Sequence, residues 1–302
     1  MGDVVVSLDA ELSWGYHDLP DAPDRVADAR QGWDAALDAL ATYRVPATWA
    51  VVGHLFHESC DGTHADHPLA PEWFSCTAGT ADAADEWRAP DLVTDIRESS
   101  PDHEIAAHTY SHVPMTQSYA TEGVADAEFD GCMRAAGEHD LSLDTLVFPR
   151  NQVAHRDRLA ANGFECYRGV RPRRWYEGTR LRPALKLLDW SRVGTAPDLV
   201  HPTVDEHGLV NVPASLYLYS FQGAARTAAA CIGSDPALAV AKRGVRKAAA
   251  NDGVFHVWLH PHNLLAPGGE TRFRRLLAYI DYQRATTDLR VRTMREVAQT
   301  VR

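Results

Sequence analysis

The chain has 302 residues, enough for one large domain or two small ones. Its 45% hydrophobic and 24% charged residues are ordinary for a globular protein, and a net charge of −11 argues against a partner read through its phosphate backbone, so no nucleic acid is expected. Five scattered cysteines without a Cys-x-x-Cys argue against a disulfide framework or a cysteine-built zinc site.

Val4-Val-Val-Ser-Leu8 is β-branched and uninterrupted, the pattern of a strand buried on both faces. The start around it lacks a basic region followed by a long apolar one, so it reads as strand and not as a signal peptide. No run approaches the ~20 apolar residues of a membrane span, and a cytoplasmic location is the expectation. The strand ends in Asp9-Ala-Glu-Leu-Ser-Trp-Gly15. A helix follows from about Arg25 to Tyr43, with Val26, Ala29, Trp33, Leu37 and Leu40 on one stripe. Thr48 to Gly53 is the second strand. Strand–helix–strand is the opening of a parallel sheet with crossover helices.

Residues 54–90 break the rhythm and read as an insertion, either a lid or a solvated loop packed by Trp73, Phe74 and Trp87. His54, His57, His64 and His67 read as surface residues of it, with a second metal site as the alternative. Order resumes with a helix near Asp91–Ser99, a third strand at Ile105–Ala107 and a helix over Thr121–His139. Thr145–Phe148 is a fourth strand, Arg156–Asn162 a helix closed by Gly163, and Phe164–Tyr167 a fifth strand. Residues 170–208 form a second irregular insertion. Leu209 to Leu216 is the sixth strand, Pro236–Ala250 a helix with a solvated basic face, and Val254–His260 the seventh strand. A helix (Thr271–Gln283), a short edge strand (Leu289–Arg292) and a helix (Met294–Val301) close the chain. The whole reads as one α/β domain over residues 1–302, with a barrel as the expected architecture.

Chemically useful residues fall at the carboxyl ends of these strands, where parallel α/β folds build their sites. Asp9 and Glu11 follow strand one, His108 and His112 strand three, Arg150 strand four, and His260 and His262 strand seven. Alone, His108-x₃-His112 is either a polar pair at a strand end or two metal ligands, on one face if the chain turns helical there. Convergence with the other residues favours the ligands. Two imidazoles and a carboxylate make a three-ligand divalent site with an open position. A second carboxylate can serve as base, a histidine as acid, and an arginine can orient the carboxylate base. Those parts suit hydrolysis of an amide or ester.

The same residues resemble the polysaccharide deacetylases, the NodB-homology or carbohydrate esterase family 4 group. His108-Thr-Tyr-Ser-His112 matches that family's histidine motif. Val51-Val-Gly53, Phe148-Pro-Arg150 and Leu259-His260 are similar to other motifs and fall in the family's order, across roughly residues 3–300. The resemblance implies a distorted (β/α)₇ barrel, a divalent metal, most often zinc, and a carbohydrate substrate that loses an acetyl group. It implies Glu11, His108 and His112 as metal ligands and Asp9, His260 and Arg150 as catalytic residues, with exchanged roles for Asp9 and Glu11 as the alternative. Two departures stand out. Ala10 replaces the usual second aspartate, giving an Asp-x-Glu spacing, and Arg150 follows Pro149 where Arg-x-Pro is usual. They keep open a cyclic-amide hydrolase of the same fold, and a catalytically silent member that binds a glycan or a partner. Asp189-Trp190 reads as the family's Asp near a Trp or as a loop turn. Trp14 reads as a sugar-stacking wall or a core residue, Asn151 as a sugar ligand or a turn residue, and His256 as a satisfied core histidine.

Overall fold

The computed structural model describes residues 1–19, 24–74, 86–170, 196–220 and 235–302. In chain order the elements are β1 (Asp3–Ala10), α1 (Ala29–Tyr43), β2 (Thr48–Val51), α2 (Pro90–Glu98), β3 (Glu104–Ala107), α3 (Glu122–Gly137), β4 (Thr145–Val147), α4 (Arg156–Ala161) and β5 (Cys166–Arg168). They continue as β6 (Thr203–Val204), β7 (Val210–Asn211), β8 (Leu216–Tyr217), α5 (Pro236–Ala250), β9 (Val254–Leu259), α6 (Gly269–Thr286), β10 (Arg290–Val291) and α7 (Met294–Gln299). Most of the second insertion, with Asp189-Trp190, lies outside the described residues.

The sheet runs β6-β7-β5-β4-β3-β2-β1-β9-β8; among the described strand pairs only β6–β7 is antiparallel, and an isolated antiparallel bridge joins Val200 to Val254. β1 is central and buried along its whole length, which is why its sequence shows no polar alternation. α1 turns Trp33, Ala36, Ala39 and Leu40 into the same core, and Trp33 meets Trp49 of β2 at 5.5 Å between ring centres. The helix ends at Arg44, whose left-handed backbone (φ 47°) turns the chain into β2.

The sixth strand departs from expectation. Leu209 to Leu216 is two short strands, β7 paired with β5 and β8 paired with β9. Pro213 lies between them and has no N–H to give to a ladder. The flanking amides still bond outward: Val212 N–H to the Tyr167 carbonyl and Ser215 N–H to the His256 carbonyl. One bent segment thus joins the two ends of the sheet, which curls into a distorted (β/α) barrel. β10 is paired on one side only, as expected of a short edge strand, and its partner is the amino end of the central β1, at Asp3 and Val4. Arg290 holds it there through two bonds to the Asp3 carboxylate, 2.7 and 2.8 Å. β2 takes over the same side of β1 from Ser7 onward. Among the described residues no helix is long and apolar enough to cross a membrane.

Candidate metal centre

The carboxyl ends of β1, β3, β4, β5 and β9 surround one mouth. His108 and His112 reach it, though not from a helix. The chain leaves β3 in a tight turn with left-handed backbone at Thr109 (φ 57°) and His112 (φ 61°). Such conformations cost about 1–3 kcal/mol each in non-glycine residues, so surrounding contacts must hold them. Buried Glu128 of α3 is one such contact, accepting from the Ser111 N–H at 2.9 Å and from the Ser111 hydroxyl. Trp73 adds another by donating to the Ser111 carbonyl at 3.0 Å.

Glu11 lies where the two histidines point. Its Oε2 is 3.4 Å from His108 Nε2 and 3.1 Å from His112 Nε2, and its Oε1 is 3.4 Å from His260 Nε2. Burial pushes the Glu11 carboxyl up. The surrounding histidines, His260 first, outweigh burial and hold it well below the usual carboxylate range. His108 Nδ1 is 2.8 Å from the Val147 carbonyl. That acceptor fixes the proton on Nδ1 and leaves the Nε2 lone pair facing the cluster. His108 Nε2 is buried and has no hydrogen-bond partner among the described residues. One ligand atom from each of Glu11, His108 and His112 falls within 4.8 Å of the others. A buried, orphaned imidazole nitrogen beside an ionised carboxylate fits a divalent cation of the zinc class.

Asp9 stands apart from this cluster. Its carboxylate receives two parallel bonds from Arg168, Nη1 to Oδ1 at 2.5 Å and Nη2 to Oδ2 at 2.7 Å. Burial raises the Asp9 carboxyl, but the Arg168 guanidinium beside it brings the net shift below the usual range. Arg168 is itself fully buried. It also donates to Ser7 Oγ and to Asn151 Oδ1, both at 3.2 Å, and lies 4.5 Å over the Trp258 ring.

This changes two expectations. Arg150 does not hold Asp9; its guanidinium pairs with Asp18 at the rim. Arg168 is the partner, and it was missed because it sits one residue past the expected end of strand five. The available signal was the period of two: Cys166 and Arg168 share a face of β5, leaving an arginine on an inward position. Trp14 is not a wall of the mouth. It is fully buried, donates Nε1–H to the Trp87 carbonyl at 3.1 Å and packs on His54, Phe74 and Trp87.

A cavity of about 220 Å³ opens over the cluster, lined by Asp9, Glu11, His112, Asn151, Trp258 and His260, with Tyr16, Leu19 and Arg150 at its rim. Trp258 and Tyr16 supply the aromatic surface. His262 is buried behind His260, stacked on it at 5.1 Å with Nε2 3.2 Å from the Tyr16 hydroxyl, and so does not line the cavity. His256 lies deeper and is bonded at both nitrogens, to Ser7 Oγ (2.8 Å) and the Pro213 carbonyl (3.2 Å).

The sequence profile of the polysaccharide deacetylase family matches residues 18–146, a span that holds the histidine pair but neither Asp9 nor Glu11. No curated protein matches the chain. A candidate polysaccharide deacetylase structure from Mycobacterium smegmatis is 18% identical with a TM-score of 0.64, over 99% of this chain and 89% of that one. Another from Pseudomonas aeruginosa PAO1 is 12% identical at 0.61, over 98% and 89%. The Puue allantoinase structure is 13% identical at 0.63, over 98% and 89%. These likenesses show a shared fold.

Proposed function

We propose, from the premise that residues 18–146 belong with the polysaccharide deacetylases, that this protein is a metal-dependent hydrolase removing the acetyl group from an N-acetylated sugar. One observation carries the reading: Glu11 is clasped by His108, His112 and His260 at the floor of a cavity beside an ionised, arginine-held Asp9. Glu11, His108 and His112 would hold the ion, with zinc suited to two imidazoles and a carboxylate. Such an ion supplies Lewis-acid polarisation of an amide carbonyl and eases ionisation of water.

The chain's own groups do the rest. Asp9 stays ionised beside Arg168 and serves as the base that takes a proton from the attacking water. Arg168 fixes the plane of that carboxylate through its fork. His260 borders the cavity from the β9 side and donates a proton to the leaving nitrogen, so that an amine departs. Trp258 and Asn151, which border the cavity, receive the sugar. The cavity is smaller than the ~300–1,000 Å³ of sites for drug-sized ligands, which suits one sugar ring or a small amide.

A second reading is hydrolysis of a cyclic amide, since the fold is shared as closely with an allantoinase as with deacetylases. The test is product release from a panel of N-acetylated amino sugars and cyclic amides. Acetate released with metal, abolished by chelation and reduced by ~10²–10⁴ in Asp9→Asn supports the deacetylase. Ring opening without acetate release favours the second reading, and metal binding with no turnover of either class overturns both.

A further inference from the structure

A second cluster lies in the first insertion and shares no residue with Glu11, His108 and His112. His54, Cys60 and His64 each offer a ligand atom, and these three atoms lie within 4.8 Å of one another. Local chemistry builds the cluster. Thr63 donates its N–H and its hydroxyl to Asp61 Oδ1, each at 2.9 Å, and Gly62 takes φ 73°. That turn brings His64 Nε2 to 3.1 Å from Cys60 Sγ. The Gly62 N–H donates to the same sulfur at 3.2 Å, a bond that favours the thiolate. Phe74 stacks on His64 at 3.9 Å with an interplanar angle of 15°, which fixes the ring.

His54 supplies the independent sign of a ligand. It was expected at the surface, yet it is fully buried in the turn Gly53–Phe56 after β2. Its Nδ1 is 3.1 Å from the Trp87 carbonyl. That acceptor takes the Nδ1 proton and leaves a lone pair on Nε2, as the Val147 carbonyl does for His108. His54 Nε2 is buried with no hydrogen-bond partner among the described residues. A buried acceptor left unpaired is costly, and the ring that carries this one lies 5.2 Å from the His64 ring, in a cluster with the Cys60 thiol.

We infer that His54 Nε2, Cys60 Sγ and His64 Nε2 form a second metal site, for zinc. A thiolate with two imidazoles selects zinc over magnesium or calcium. Binding releases the thiol proton to solvent as the sulfur ligates. The lack of a Cys-x-x-Cys argues against sites with several cysteines, and this one needs a single cysteine. Its role is to fasten the insertion to buried Trp14 and to the turn that carries His112. The Trp14 ring is 4.7 Å from His54, and Phe74 touches both Trp14 and His64. Next to Phe74, Trp73 bonds the Ser111 carbonyl beside His112.

Cobalt(II) titration of the metal-free full chain tests this, because thiolate ligation gives a sulfur-to-cobalt charge-transfer band that histidine and carboxylate ligation do not. The wild-type chain is expected to take two equivalents and show the band. Cys60→Ser loses the band and one equivalent. His108→Ala loses one equivalent and keeps the band, so failure at either centre is read separately. Zinc also protects Cys60 from alkylation in the wild-type chain. Absence of the band in wild type at saturating cobalt, or an unchanged band in Cys60→Ser, overturns the site.

Discussion

Arg168 and Asp9, 159 residues apart in sequence, meet through two parallel bonds of 2.5 and 2.7 Å with both side chains shut away from water. Removing one partner of a buried pair leaves the other uncompensated, at a cost of about 3–5 kcal/mol. Arg168→Met is therefore expected to lower the unfolding free energy by that order in denaturant titration. Arg168→Lys keeps the charge but loses the fork. It should retain most of the stability and lose kcat with little change in KM. Equal kcat in Arg168→Lys and wild type would contradict the positioning role.

Gly15 controls the other carboxylate. A Cβ at this position would run into the Glu11 carboxyl group. Gly15→Ala should displace Glu11 from His108 and His112 and weaken zinc binding at that centre. Because the clash is with the end of a side chain, the fold should persist. Calorimetric zinc affinity and a thermal melt separate the two effects, and unchanged affinity would contradict the placement of Glu11.

The two tryptophans make opposite predictions. Trp14 is buried among His54, Phe74 and Trp87, so Trp14→Ala should cost about 3–5 kcal/mol of stability. Trp14→Phe, which keeps most of the packing, should leave KM for substrate unchanged. Trp258 lines the cavity, and Trp258→Ala should raise KM. A raised KM in Trp14→Phe would return that residue to the cavity wall.

Acid should weaken the fold partly through His103. Burial pushes its imidazole from 6.5 down to about 4, and its Nδ1 accepts from the Ala47 N–H at 3.1 Å. The unfolded chain takes up this proton near pH 6.5 and the folded chain only near 4. The contribution is thus whole above pH 6.5 and is lost as pH falls toward 4. His103→Gln should lose less stability than wild type between pH 6.5 and 4, measured by urea titration at each pH. Parallel losses in the two proteins would contradict a neutral, half-buried imidazole at this position.

Much of this arrangement is legible in the sequence because burial leaves periodic marks. The unbroken Val4–Leu8 run, the Trp33–Leu40 stripe and the Val254–Leu259 strand locate the centre of the sheet, and strand ends then point to Glu11, His108 and His112. What was not legible depends on tertiary pairing. The period of two places Arg168 on an inward position of β5, but only the curl of the sheet, which brings β5 opposite β1, makes it the partner of Asp9 in place of Arg150. Pro213 marks a break, but not that the two halves pair with opposite ends of the sheet. His54 looks like a surface residue of a polar loop, and Trp14 like a cavity wall or a core residue, until the Trp87 carbonyl is seen to accept from both.

The most direct test of the account is zinc stoichiometry of the Glu11 centre, measured in a Cys60→Ser background so that the second site does not contribute. One equivalent of zinc per chain is predicted, falling to none when Glu11→Ala and His108→Ala are combined in that background. Full zinc occupancy in the combined variant, with the fold intact by circular dichroism, would contradict it.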